Sequence, residues 1–149
     1  EGARDFFRKV KLYDITYEVD NEKYRGLFSF ALITNANRVA GINNFYKDIK
    51  LDDNKFEVLL CNITKLKDIV KTLYFFALYD ASKIPGFYFY QTDNIKIKFN
   101  SPLKKPLCID GESFDDMSGS YNIKIDHDVY VLMPSKNVNN LFVNDKKEL

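Results

Sequence analysis

The sequence predicts a mainly β domain, an antiparallel sandwich or open barrel with one helix across an end or edge. Three observations lead there. Segments that alternate apolar and polar residues recur along nearly the whole chain, turn residues punctuate them, and only one stretch has the 3.6-residue period of an amphipathic helix. Strand-like segments outnumber helices roughly seven to one. With 149 residues, 46% of them hydrophobic and with 13 Phe and 10 Tyr, the chain has material for one well-filled core.

The first strand is expected over residues 10–19 (VKLYDITYEV), where β-formers alternate with polar residues. Asp20-Asn21-Glu22 breaks it, and residues 27–34 (LFSFALIT) read as a second, more completely buried strand. Residues 35–48 are polar, hold Gly41 and the pair Asn43-Asn44, and read as a loop. Asp52-Asp53-Asn54 is a turn signal opening a strand over 55–61 (KFEVLLC). Residues 65–78 form the predicted helix. Leu66, Ile69, Val70, Leu73, Phe76 and Ala77 fall on one face, and Thr64 is placed as N-cap. Pro85-Gly86 ends the next loop. Strands then follow over 87–91, 94–100 (NIKIKFN, strictly alternating), 106–109, 120–126 and 129–133. Asp110-Gly111-Glu112 reads as a tight turn linking 106–109 to 120–126. No repeat or internal linker divides residues 1–149, so a single domain is expected.

Charge and cysteine usage restrict function. Lys plus Arg number 22 against 21 Asp plus Glu, a net charge of +1. That balance predicts neither a nucleic-acid footprint nor a polybasic membrane stripe. The local cluster Lys96, Lys98, Lys104 and Lys105 reads as a solvated strand face. Cys61 and Cys108 lie far apart, each in an apolar run, and read as buried free thiols suited to a reducing cytosol. With one histidine, His127, and no CxxC, a zinc site is not expected.

No GxGxxG, GxxxxGK[ST], GxSxG or HExxH occurs, and the six glycines are isolated, so the chain has no phosphate cradle of its own. Four candidate sites remain. Asp110-Gly111-Glu112 places two carboxylates on a hairpin tip. Asp52-Asp53-Asn54 gathers carboxylate and carbonyl oxygens able to hold a hard cation such as Mg²⁺. His127 stands between two aspartates, and the aromatic stretch 74–90 (YFFALYDASKIPGFYFY) has the composition of core or of an acyl-chain cleft. Taken singly, each also reads as ordinary turn or core.

Their order says more. Thr34-Asn35 closes a buried strand and a Gly-bearing loop follows. Then come Asp52-Asp53-Asn54-Lys55-Phe56-Glu57-Val58, a helix, Asp110-Gly111-Glu112, and Val129-Tyr130-Val131-Leu132-Met133-Pro134. That succession resembles the C-terminal domain of bacterial diacylglycerol kinase-like lipid kinases, over nearly all of the chain. Two departures stand out. Asn54 takes the place of the usual glycine, a substitution compatible with positive φ. The family's Gly-rich N-terminal domain is not in these residues, so the chain reads as a fragment of a two-domain kinase.

The resemblance implies the β-sandwich of the NAD kinase/diacylglycerol kinase-like fold and ATP-dependent phosphorylation of diacylglycerol or a related lipid. It implies that Glu112 accepts the proton of the lipid hydroxyl, with Asp110 beside it and Gly111 facing the nucleotide. Asp53 would bind a structural Mg²⁺ together with the carbonyls of Lys50 and Lys55. ATP would be held mostly by the chain's own N-terminal nucleotide-binding domain, leaving these residues alone inactive. A lipid substrate implies peripheral membrane contact, the free thiols fit a cytoplasmic location, and a homodimer stays open. Two other readings stand beside it: a non-catalytic β-sandwich binding module, and a related kinase with a soluble substrate.

Overall fold

A computed structural model describes residues 11–36, 38–39, 42–43, 46, 49–64, 68, 72, 84–104 and 106–126. The predicted strand over 129–133, His127, and all of the predicted helix except Asp68 and Thr72, both helical, lie outside them.

Eleven strands are described: β1 (Tyr13–Val19), β2 (Glu22–Phe28), β3 (Phe30–Thr34), β4 (Arg38–Val39), β5 (Ile42–Asn43), β6 (Phe56–Cys61), β7 (Phe87–Thr92), β8 (Asn94–Phe99), β9 (Leu107–Ile109), β10 (Glu112–Phe114) and β11 (Ser120–Lys124). They build a four-stranded sheet ordered β11-β8-β1-β2 and a three-stranded sheet ordered β3-β6-β7. Two small ribbons, β4-β5 and β9-β10, complete the set. Every pairing is antiparallel.

The two larger sheets pack face to face. Ile15, Tyr17 and Val19 of β1, Phe28 of β2, and Ile95 and Ile97 of β8 meet Phe56, Val58 and Leu60 of β6 in one buried cluster. Period-2 alternation puts these residues on a single face of each strand. The reverse face of β6 is covered as well: Leu59 packs with Tyr46 and Ile49 in a second cluster. All six residues of β6 are therefore buried, which is why its sequence, Glu57 apart, runs apolar without alternation.

Three sequence expectations are corrected. Residues 27–34 are not one strand: β2 ends at Phe28 and β3 begins at Phe30, in different sheets. Ser29 makes the transfer, donating both its N–H (2.7 Å) and its hydroxyl (3.0 Å) to the Cys61 carbonyl. The region read as a loop over 35–48 holds the short pair β4-β5. Finally, Asp110-Gly111 joins β9 to β10, a strand absent from the sequence reading, while β11 pairs with β8. The break at Asp20-Asn21 stands as a two-residue loop. Both residues are left-handed (φ 52° and 64°), the geometry that matches the twist of a β-hairpin.

Cys61 is buried, but Cys108 is exposed, against expectation. Every residue of its ribbon from Cys108 to Phe114 is exposed.

Candidate active site

The β9-β10 tip is fixed by local chemistry. Asp110 (φ 50°) and Gly111 (φ 90°) form a two-residue loop between the paired Ile109 and Glu112. This turn needs positive φ at both central positions, and Asp-Gly is among the pairs that supply it. A Cβ at Gly111 would meet nothing within 4 Å, so the glycine answers to backbone conformation and leaves open space beside the tip.

Asp110 projects this ribbon onto a cleft of about 510 Å³. Ile33 of β3, Phe56 of β6, and Ile123 and Ile125 on and beyond β11 supply its apolar lining. Thr34, Asn35, Asp110, Lys124 and Asp126 supply the polar part. The cleft thus joins the end of β3, the start of β6 and strand β11, with Asp110 of the hairpin tip in its lining. An apolar lining with a few converging polar groups suits a ligand that is mostly apolar and carries a polar reacting end.

Of the residues singled out from sequence, the structure brings Thr34, Asn35 and Asp110 to this one cleft. Glu112 does not line it; that residue opens β10 two positions along, exposed to solvent. Lys50, Asp53 and Lys55 share the turn that leads into β6 at Phe56. There Asp53 Oδ1 accepts the Lys55 N–H at 3.0 Å, closing a local Asx turn. Asn54 is left-handed (φ 60°), so it occupies the conformation for which its substitution of glycine had to qualify.

The donor set of this turn fits Mg²⁺ only as a cation that keeps several of its waters. Asp53 offers one carboxylate, the rest would be backbone oxygens, and no cluster of three metal-ligating side chains occurs among the described residues. Lys124 and Asp126 in the cleft were missed from sequence, because nothing in SYNIKID distinguishes a cleft-lining edge from any other alternating strand.

Glu57 was missed too. It is fully buried on β6, between Thr34 and Gln91 in register, on the face away from the main core. Gln91 donates to its Oε1 at 3.3 Å, and Oε2 has no hydrogen-bond partner among the described residues. Burial, with a smaller push from the Asp53 charge and against the Gln91 hydrogen bond, raises its carboxyl to about 7. A charged residue inside an otherwise apolar strand, KFEVLLC, was the available signal.

Solved structures share this fold. A "putative diacylglycerol kinase" from Bacillus anthracis str. Sterne superposes with a TM-score of 0.60 at 17% identity, covering 83% of this chain and 40% of its own. A second structure, of diacylglycerol kinases from the same strain, gives 0.60, 17%, 83% and 41%. A third, again a "putative diacylglycerol kinase" from that strain, gives 0.55, 18%, 77% and 36%. The chain therefore spans about two-fifths of the length of the first two. No protein-family model matches the chain, and no curated protein matches it. At such identity the likeness establishes the fold, in agreement with the sandwich expected from the order of the motifs.

Proposed function

We propose that this chain is the substrate-side domain of an ATP-dependent lipid kinase that phosphorylates the hydroxyl of diacylglycerol or a related lipid. One observation carries the reading. Thr34-Asn35 and Asp110, 75 residues apart in sequence, converge on one cleft, in a sandwich whose fold recurs in structures bearing the diacylglycerol kinase name.

In this reading the chain positions the acceptor and handles its proton. The apolar lining made by Ile33, Phe56, Ile123 and Ile125 takes the first part of the lipid's acyl region and excludes water from it. Thr34 and Asn35 orient the polar end by hydrogen bonding. Glu112, exposed at the start of β10, is the carboxylate that receives the hydroxyl proton as the oxygen attacks the γ-phosphorus of ATP, the γ-phosphorus–oxygen bond to the β-phosphate breaks, and ADP leaves. Asp110 and Gly111 hold the tip on which Glu112 is carried. Phosphoryl transfer needs alignment and charge neutralisation more than covalent help, so one well-placed base suffices on this side. A Mg²⁺ ion at the Lys50–Lys55 turn would be held by the Asp53 carboxylate and the carbonyls of Lys50 and Lys55, and would supply positive charge that stiffens the turn. A separate nucleotide-binding domain would hold ATP itself, and these residues by themselves would be inactive.

The test is transfer of labelled phosphate from ATP to diacylglycerol and a panel of related lipids by the full-length gene product and by its Glu112→Ala variant. Loss of a general base costs about 10²–10⁴-fold in rate. The exposed position of Glu112 predicts an unchanged circular dichroism spectrum and melting temperature. Equal labelling by both proteins would return Asp110-Gly111-Glu112 to the role of a turn. Absence of labelling with any lipid would favour the binding-module or soluble-substrate reading.

A further inference from the structure

The four-stranded sheet buries one face in the sandwich and turns the other outward. Alternation sends Asp14, Thr16 and Glu18 of β1 to that outer face, because Ile15, Tyr17 and Val19 are in the core. Register aligns the neighbouring strands with them. Thr16 lies between Arg25 and Lys98, Glu18 lies between Lys23 and Lys96, and on β11 Ser120 and Asn122 stand opposite Lys98 and Lys96. Lys124 continues the same outward series on β11.

Among the described residues, the strands of this face therefore turn outward five cations (Lys23, Arg25, Lys96, Lys98, Lys124) and two carboxylates (Asp14, Glu18), a sum of +3. The whole chain sums to +1, which leaves −2 for everything else. Two of the cations are paired: Arg25 binds Asp14 through two hydrogen bonds of 2.9 and 2.6 Å, and Lys96 binds Glu18 at 2.7 Å. Lys23, Lys98 and Lys124 are exposed and have no ion pair among the described residues. Lys23, Lys96 and Lys98 also border a shallow hollow of about 160 Å³ together with Glu18, Thr16 and Ser120. Leu27, in register with Asp14 on the same face, is 54% exposed.

We propose that this face docks on an anionic lipid bilayer. A flat array of lysines on flexible stems suits a plane of phosphate headgroups, and an exposed leucine among them adds apolar contact below that plane. Nucleic acid fits less well: two carboxylates share the face, and none of its outward residues is aromatic, so bases have no stacking platform. Lys124 also borders the cleft, so docking through this sheet would bring the cleft to the lipid surface. The choice of a bilayer as partner rests on the lipid-kinase reading; the charge on the face does not.

The experiment is co-sedimentation of the chain with phosphatidylcholine vesicles with and without phosphatidylglycerol, without ATP, over a range of salt. Binding is expected only to the anionic vesicles and should weaken as salt rises. Lys23→Gln/Lys98→Gln should lower the partition coefficient about 30-fold, at about 1 kcal/mol per basic residue near an anionic surface. Lys11→Gln/Lys104→Gln, the same charge change off these strands, should lower it far less. Any one of four results overturns the proposal: no vesicle binding, equal binding to neutral and anionic vesicles, equal losses in the two double variants, or tighter binding to duplex oligonucleotide than to anionic vesicles at equal salt. Because no turnover is read, failure here is distinct from failure of the phosphorylation assay.

Discussion

Glu57 makes the folded state sensitive to pH near neutrality. Its carboxyl is raised from 4.5 to about 7 by burial first, with the Gln91 hydrogen bond opposing and the Asp53 charge adding. Between those two values the folded chain keeps a proton that the unfolded chain has released. Folding then takes up a proton, and stability falls as pH rises through the window from about 4.5 to 7. Below it both states are protonated, and above it both are ionised. At 1.36 kcal/mol per pH unit the loss across the window is about 3 kcal/mol. For a chain of this size that amounts to roughly 6–12 °C in melting temperature. Glu57→Gln keeps the shape and cannot ionise, and its carbonyl still accepts from Gln91. The assay is thermal unfolding from pH 4.5 to 8.5 in chelator-containing buffer, with the wild-type profile minus the Glu57→Gln profile isolating this residue. The difference should decline by about that amount and flatten above pH 7. Parallel profiles, or a difference that grows with pH, would refute the reasoning.

Two further outcomes follow from the packing. Leu60→Ala, at a fully buried position where the two sheets meet, should cost about 2–5 kcal/mol in denaturant unfolding, whereas removing an exposed side chain such as Met117 should cost little. At the acid end, the Arg25 and Asn100 hydrogen bonds hold the Asp14 carboxyl at about 2, below its ordinary 3.8. The stability this gives is present above 3.8 and lost as pH falls through 2, so Asp14→Asn should flatten that part of the acid unfolding curve.

The core strands were legible because one physical signal wrote them. Alternation placed Ile15, Tyr17, Val19, Ile95 and Ile97 on a buried face, and the structure puts them there. β6, apolar apart from Glu57 and without alternation, is buried on both faces. Turn chemistry was local and equally readable: Asp20-Asn21, Asn54 and Asp110-Gly111 all take the left-handed conformation their residue types allow. Ser29 was not readable. A single serine between two apolar runs gives no alternation break, and its role depends on Cys61, 32 residues away, accepting both of its donors. β10 was hidden for a related reason, since ESF is too short to show a period and is defined by its pairing with LCI.

Alternation and composition together determined that this chain would form a β-rich core with little net charge. Only the tertiary structure decided where the charge went. Lys23, Arg25, Lys96, Lys98 and Lys124 come from three strands separated by up to about a hundred residues, and strand register alone aligns them on one face. The same holds for the cleft, where Asn35, Asp110 and Asp126 meet through the packing of two sheets and a ribbon. Hydrophobic period is a property of neighbours along the chain, so sequence records it. Sites and charged faces are made between strands distant in sequence, and that information appears only when register and sheet order are set.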